Sequence, residues 1–236
     1  EHEAQSGSMS LRVYSEGLEE VVASLMGQYK HDIDTPSAGI NQHSCKLATG
    51  MASLFHTIAW DEGDQVKAVN SARIISGTFS YADGLNLDLN YMGDQVSVTG
   101  WSALGTSLSY PSKDKSIFKL SNAEVLINDE DGAALASGDA LNPSGVDIAI
   151  TRGFEALAVT AGSSTITEPI EKTAPVVEVT LTFPKKETST EAYFNVFNNR
   201  VFKKMQITFS GDNSHKIIFN FPRLFLSEAP DYAQDT

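Results

Sequence analysis

The chain has little of what most enzymes and secreted domains rely on. It holds one cysteine, Cys45, in 236 residues, so no disulfide can form within it. Small secreted domains lean on disulfides, and synthesis in the cytoplasm is expected instead. Cys45 itself is expected as a small buried apolar residue. No run approaches the roughly 18–20 consecutive apolar residues of a membrane-spanning helix, and no signal-like start is visible. Positive charge is scarce: 17 Lys and Arg stand against 30 Asp and Glu, a formal net charge of −13. Nucleic acid is held by clustered Lys and Arg that neutralise phosphates, so a DNA-binding role is excluded and DNA should be repelled.

Chemistry-bearing motifs are also missing. The five histidines, His2, His31, His43, His56 and His215, include no pair at H-x-x-x-H spacing. His31-Asp32-Ile33-Asp34 ends at Pro36 and reads as a solvated turn, because a zinc site needs three or four preset ligands. His56 sits in the apolar stretch Leu54 to Ile58 and reads as a sheet residue. Asn128-Asp129-Glu130-Asp131-Gly132 fails as a calcium loop: its first ligand would be Ile127, and no Glu stands six residues after the glycine. Gly105-Thr106-Ser107-Leu108-Ser109 comes near G-x-S-x-G but ends in serine. Adjacent carboxylates such as Asp61 and Glu62 are too common in an acidic chain to nominate a glycosidase. Trp60 and Trp101 end strands, where they could stack on a sugar, but packing at the rim of a β core is the expected role. No catalytic residue, metal site or cofactor is expected, and the chain is not expected to be an enzyme.

What is present is strand periodicity. Val177, Val179, Leu181 and Phe183 alternate with Glu178, Thr180 and Thr182, the pattern of a strand with one buried face. Pro184 closes it. Thr188 with Glu191 fits a capping box, and Tyr193, Val196 and Phe197 form a short apolar stripe, predicting a helix over 189–199. Met205, Ile207 and Phe209 form a strand that turns at Gly211-Asp212-Asn213 into Ile217, Phe219 and Phe221.

Earlier, Leu18, Val21, Val22, Leu25 and Met26 predict a helix over 16–26, with Ser15 as N-cap, an acidic first turn and Gly27 as stop. Strands are expected at 43–48, 52–60 and 66–81. Asp83-Gly84 is expected to turn into Leu85, Leu87 and Leu89, and Gly93-Asp94 into Val96 and Val98. Residues 102–115 read as a connector, with a strand near 116–127 and a strand pair near 146–160 beyond it. Asn128 to Gly145 and Gly162 to Pro175 read as long polar loops. Each half thus offers a helix followed by paired strands, which suggests a duplicated topology.

The run VVEVTLTFPKKETSTEAYFNVFNN, with KKMQITFSGDNSHKIIFNFPRLFLSEAP after it, resembles the closing portion of tail tube proteins of long-tailed bacteriophages. SEGLEEVVASLMGQY, VKAVNSARIISGTFSY and LNLDLNYMG resemble the opening of such a protein. The type VI secretion tube and contractile-tail tubes are similar in fold. The resemblance implies a mainly β chain with two short helices, built as a β-barrel or sandwich of two packed antiparallel sheets flanked by the helices. It implies closed rings stacked into the pipe through which the genome leaves the capsid, and so a place in the virion tail after synthesis in the host cytoplasm. Tape-measure, terminator and distal-tail proteins are implied partners, while DNA passes through an acidic channel without specific binding. Two tube-like lobes are expected, 1–102 and 116–229, joined by the connector 103–115 and followed by a tail at 230–236; a single enlarged barrel over 1–229 is the alternative. Two lobes favour a trimer over a hexamer. Ring-to-ring contacts are assigned to Asp129, Glu130, Asp131, Asp139, Glu168 and Glu171 in the two long loops. A basic flank of Lys185, Lys186, Arg200, Lys203 and Lys204 is assigned to subunit contacts. The competing function is a carbohydrate-binding or adhesin β-sandwich that uses Trp60 or Trp101.

Overall fold

Alternating apolar and polar side chains drive most of the chain into antiparallel strands, each strand turning one face to a core and one to water. The computed structural model describes residues 5–14, 17–32, 42–48, 54–63, 65–81, 84–94, 96–99, 117–157, 167–184, 199–212 and 215–227. Within them run β1 (Gln5–Arg12), α1 (Glu19–Met26), β2 (Gly27–Asp32), β3 (Gln42–Leu47), β4 (His56–Asp61), β5 (Val66–Tyr81) and β6 (Leu85–Gly93). There follow β7 (Val96–Thr99), β8 (Ala123–Asp129), β9 (Ala140–Leu141), β10 (Gly145–Leu157), β11 (Thr167–Thr182), β12 (Lys203–Ser210) and β13 (Lys216–Leu224). The largest sheet is ordered β1-β6-β5-β10-β11, with β4 and β7 also paired to β5; a second is ordered β13-β12-β8-β9, and β2 and β3 form a two-stranded ribbon.

The chain divides into two compact units, each discontinuous in sequence. The first takes Glu1–Ser80, Asn86–Lys115 and Ile148–Val179, and the second Tyr81–Leu85, Ser116–Asp147 and Thr180–Thr236. In the first, Leu87, Leu89 and Tyr91 of β6 and Ile148 and Ile150 of β10 are buried at period two. Met9, Ile58 and Trp60 pack against a cluster of Val69, Ala72 and Tyr91. In the second, the buried side chains are Phe118, Val125, Leu126 and Ile127 with Met205, Ile207 and Phe209.

Strand β5 is continuous for 16 residues yet serves two sets of neighbours. Its first residues pair with β4 and β7, as in Ile58↔Val69 and Val66↔Thr99. Between His56↔Ala72 and Ile58↔Val69 the register shifts by one residue. Ser71 lies at that step with φ 52, a left-handed conformation found in one type of bulge. Both faces of β5 are buried, at Val66, Ala68 and Val69 before the step and at Ala72, Arg73, Ile74, Gly77 and Phe79 beyond it; Val69 and Ala72 share one cluster, so the face that is odd-numbered before the step is even-numbered after it.

Helix α1 begins at Glu19, with Leu18 in the N-cap position and no side-chain cap; the expected cap, Ser15, lies outside the described residues. Glu19 and Glu20 occupy the first turn, where carboxylates complement the helix dipole. Gly27 ends the helix at φ 98 and donates its N–H to the Ala23 carbonyl, as expected for a left-handed stop. Leu25 is buried, but Ala23 and Ser24 are buried beside it while Val21 and Val22 are only half-buried. Small residues on the packed side let the helix approach the sheet closely. At the approach stands Gly77, where a Cβ would lie 2.6 Å from Leu25 Cδ2 and 3.0 Å from Leu89 Cδ2.

Several expectations need correction. Among the described residues the sheets are open and do not close into a barrel. The described residues contain one α-helix rather than two, and the helix expected at 189–199 lies, but for its last residue, outside them. The turn at Gly93-Asp94 does not make a β6–β7 hairpin: the Asp94 N–H donates to the Asn70 carbonyl (3.1 Å) and β7 pairs with β5. The strand expected near 116–127 starts at Ala123, after a 3-10 turn at Leu120–Asn122. The pair expected at 146–160 is the single strand β10. The polar loop expected at Gly162 to Pro175 contains the first half of β11. Pro169 and Pro175 suggested a loop, but β11 ends its sheet, and an edge strand tolerates proline. Asn128 to Gly145 is a loop as expected, apart from the start of the range in β8, its end in β10 and the two residues of β9. The alternation at 177–183 and the β12–β13 hairpin are found as expected.

Overpacking a closed core costs about 1–3 kcal/mol. Gly77→Val is expected to lower the unfolding free energy by about that much in urea denaturation, with Leu25→Ala in the same chain recovering part of the loss.

Candidate assembly surfaces and the buried arginine

The inward positions of β10 run Val146, Ile148, Ile150, Arg152 and Phe154, so the strand's own periodicity carries an arginine into the first unit. The Arg152 side chain is 0% exposed and that of Glu171, on β11, is 5% exposed, with Nη2 2.8 Å from the carboxylate. Nη1 donates to the Leu25 carbonyl (3.0 Å) and Nη2 to the Ala48 carbonyl (2.7 Å). Leu25 lies in the last turn of α1, whose carbonyls have no partner within the helix, and Ala48 follows β3. One guanidinium therefore ties together the entry to β2 and the exit from β3 at one end of the ribbon, where the Ala48 N–H also donates to the Met26 carbonyl (2.9 Å). Gly27 makes room for it: a Cβ there would stand 2.7 Å from Arg152 Nη1. The Phe154 ring centroid lies 5.4 Å from Cζ of both Arg152 and Arg73, and Arg73 Cζ lies 4.1 Å from the Phe55 centroid. Guanidinium planes over aromatic faces are favourable once water is excluded.

The second unit holds most of the nominated charges. Asp129 ends β8 directly opposite Lys203 of β12, and the two form an ion pair. Glu130 donates its N–H to the Phe202 carbonyl (3.1 Å), and its carboxylate lies 3.5 Å from Arg223 Nε. Lys204 Nζ donates to the carbonyls of Gly132 (2.6 Å) and Glu130 (3.3 Å). An ammonium thus caps the turn that had the look of a cation loop. The two nominated sets, acidic turn and basic flank, meet within one chain at these residues. Asp131 is exposed, and the Asp139 carboxylate accepts the Ala136 N–H (2.9 Å). Glu168 and Glu171 lie in β11 and not in a loop, and Glu171 is buried against Arg152. Arg200 is exposed with φ 51. Lys185 and Lys186 lie outside the described residues.

Trp60 packs against the core and donates its indole N–H to Glu62 (3.2 Å), so its ring is a rim residue and not an open stacking platform; Trp101 lies outside the described residues. Cys45 is half-buried on β3, and burial pushes its thiol pKa up. Among the described residues no group of three or more His, Cys, Asp or Glu is placed to hold a metal ion, and no helix is long and apolar enough to cross a membrane. Arg152 was missed in the sequence reading, although its spacing from Ile148 and Ile150 signalled the buried face. Comparison with protein-family models found none that matches the chain, and comparison with characterised proteins found no match either.

Removing one partner of a buried ion pair strands the other charge, at about 3–5 kcal/mol. Glu171→Leu is expected to cost that much in urea denaturation, and Arg152→Leu with Glu171→Leu less than the sum of the single changes. His56 supplies a pH test. Burial holds its pKa below the ordinary 6.5, against an opposing pull from Glu20. The unfolded chain therefore binds the proton more readily, and stability is lost as pH falls through about 6.5. The thermal midpoint is expected to drop between pH 8 and pH 5.5, and His56→Asn is expected to flatten that dependence.

Proposed function

We propose that this chain is a structural subunit of a bacteriophage tail tube, assembling with copies of itself into stacked rings that conduct the genome. The observation that carries the reading is the pair of long sheet edges left open among the described residues, β11 of 16 residues and β13 of nine. Each has a half-buried apolar row: Val177, Val179, Leu181 and Phe183 in one, Ile217, Phe219 and Phe221 in the other. Natural monomers blunt or cover such edges, whereas rings close them between neighbours. The net charge of −13 suits a conduit whose walls repel phosphate. In this reading tape-measure, terminator and distal-tail proteins bound the tube, and the site of action is the virion tail. Two tube-like lobes in each copy favour a trimer over a hexamer.

Negative-stain microscopy of the purified protein at high concentration is expected to show rings or tubes. A strictly monomeric protein that binds glycans would overturn the proposal in favour of a carbohydrate-binding sandwich.

A further inference from the structure

Copies of one chain that assemble bring like charges together. This chain has 30 acids against 17 bases, and acids outnumber bases in each of its two compact units. Neither unit is, as a whole, a basic partner for the acid of the other. Self-repulsion between such copies opposes their close approach.

Many of the bases that could reverse the sign locally are held by their own chain. Lys67 pairs with Glu62 (2.7 Å), Arg152 with Glu171, Lys172 with Glu155, Lys203 with Asp129 and Arg223 with Glu130. Lys204 donates to the carbonyls of Gly132 and Glu130. Each ion pair removes one acid and one base, so the acidic surplus is undiminished while fewer cations are left to attract a neighbour. Glu124 of β8 and Glu178 of β11 are exposed, one in each unit.

Attraction between copies then needs an uncharged source. In the tube reading above, on which this inference rests, strand edges and half-buried apolar rows hold the copies together through backbone hydrogen bonds and apolar burial. Salt weakens a contact made by opposite charges, but in this chain it screens the repulsion that opposes association. We infer that the acidic surplus gates assembly: copies stay apart at low ionic strength and join once salt screens them. The ion pairs within each chain sharpen that gate, because they withdraw the cations that would otherwise bridge one copy to the next.

The test is sedimentation velocity of the full chain at pH 7 and high protein concentration. Sodium chloride is raised from about 0.01 M, where the Debye length is about 30 Å, to about 0.15 M, where it is about 8 Å. Association is expected to strengthen at least about ten-fold across that range, as repulsion of several kT is screened. Sodium sulfate at equal ionic strength is expected to act alike; an effect of sulfate without one of chloride would reflect stronger apolar burial and overturns the gate. Glu124→Gln and Glu178→Gln are each expected to lower the salt needed for assembly by similar amounts, with circular dichroism checking the fold, because screening acts on total charge and not on one contact. A shift confined to one of two folded variants marks a local contact and overturns the gate, as does a shift in neither. Should one variant fail to fold, the other and the salt series decide. Association that falls with salt, or ignores it, also overturns the gate and leaves the tube reading standing. A protein that is monomeric at every ionic strength overturns both.

Discussion

The first unit depends on a charge that should be costly to bury. A guanidinium taken out of water needs its donors satisfied and its charge countered; the Nη groups of Arg152 meet two carbonyls and Glu171, while its buried Nε has no partner among the described residues. The acceptors come from the end of α1 and from the residue after β3, and the carboxylate comes from β11. These segments stand far apart in sequence, so the guanidinium holds a long-range arrangement in place. Hydrophobic burial alone would be indifferent to small shifts of α1 along the sheet, because apolar contacts are non-directional. Fixed donor geometry is not indifferent, and Gly27 and Gly77 give the backbone the closeness which that geometry demands.

The second unit uses its charges in a different way. Asp129 with Lys203, and Glu130 with Arg223, are pairs in which at least one partner is well exposed, and such pairs contribute little to stability. Their effect is local: with Lys204 on two carbonyls they fix the turn after β8. Because these side chains already have partners, they are poor candidates for holding a neighbour. The open backbone edges are better ones, since a strand's hydrogen bonds can be extended without breaking any it already makes.

Period-two patterns made much of this fold legible. Val177 to Phe183, Met205 to Phe209 and the turn after it stood out because one face of each strand is covered and the other is wet. Leu25 and Gly27 marked α1 in the same way. What failed was pairing and punctuation. Pro169 and Pro175 read as loop residues in the sequence, yet proline's ban from sheets applies to inner strands, and a sequence does not say which strand will be the last in its sheet. Gly93-Asp94 looked like a hairpin because turn chemistry is local, whereas the choice of β5 over β6 as partner for β7 is made by contacts distant in sequence. The charge clusters 129–131 and 203–204 were visible, but not the register that sets Asp129 opposite Lys203. Arg152 was overlooked because arginine reads as surface, although its neighbours at 148 and 150 placed it inward.

The bulge at Ser71 has a consequence for how this sequence can change. In an uninterrupted strand the pleat fixes one phase from end to end, and a single inserted or deleted residue inverts every side chain beyond it. By exchanging which of odd and even positions lies on each face partway along β5, the extra residue at Ser71 decouples the two phases. The segment before it can follow β4 and β7 while the segment after it follows β6 and β10. One uninterrupted run of backbone therefore carries two independent reading frames, and substitutions that suit one set of neighbours leave the frame of the other untouched.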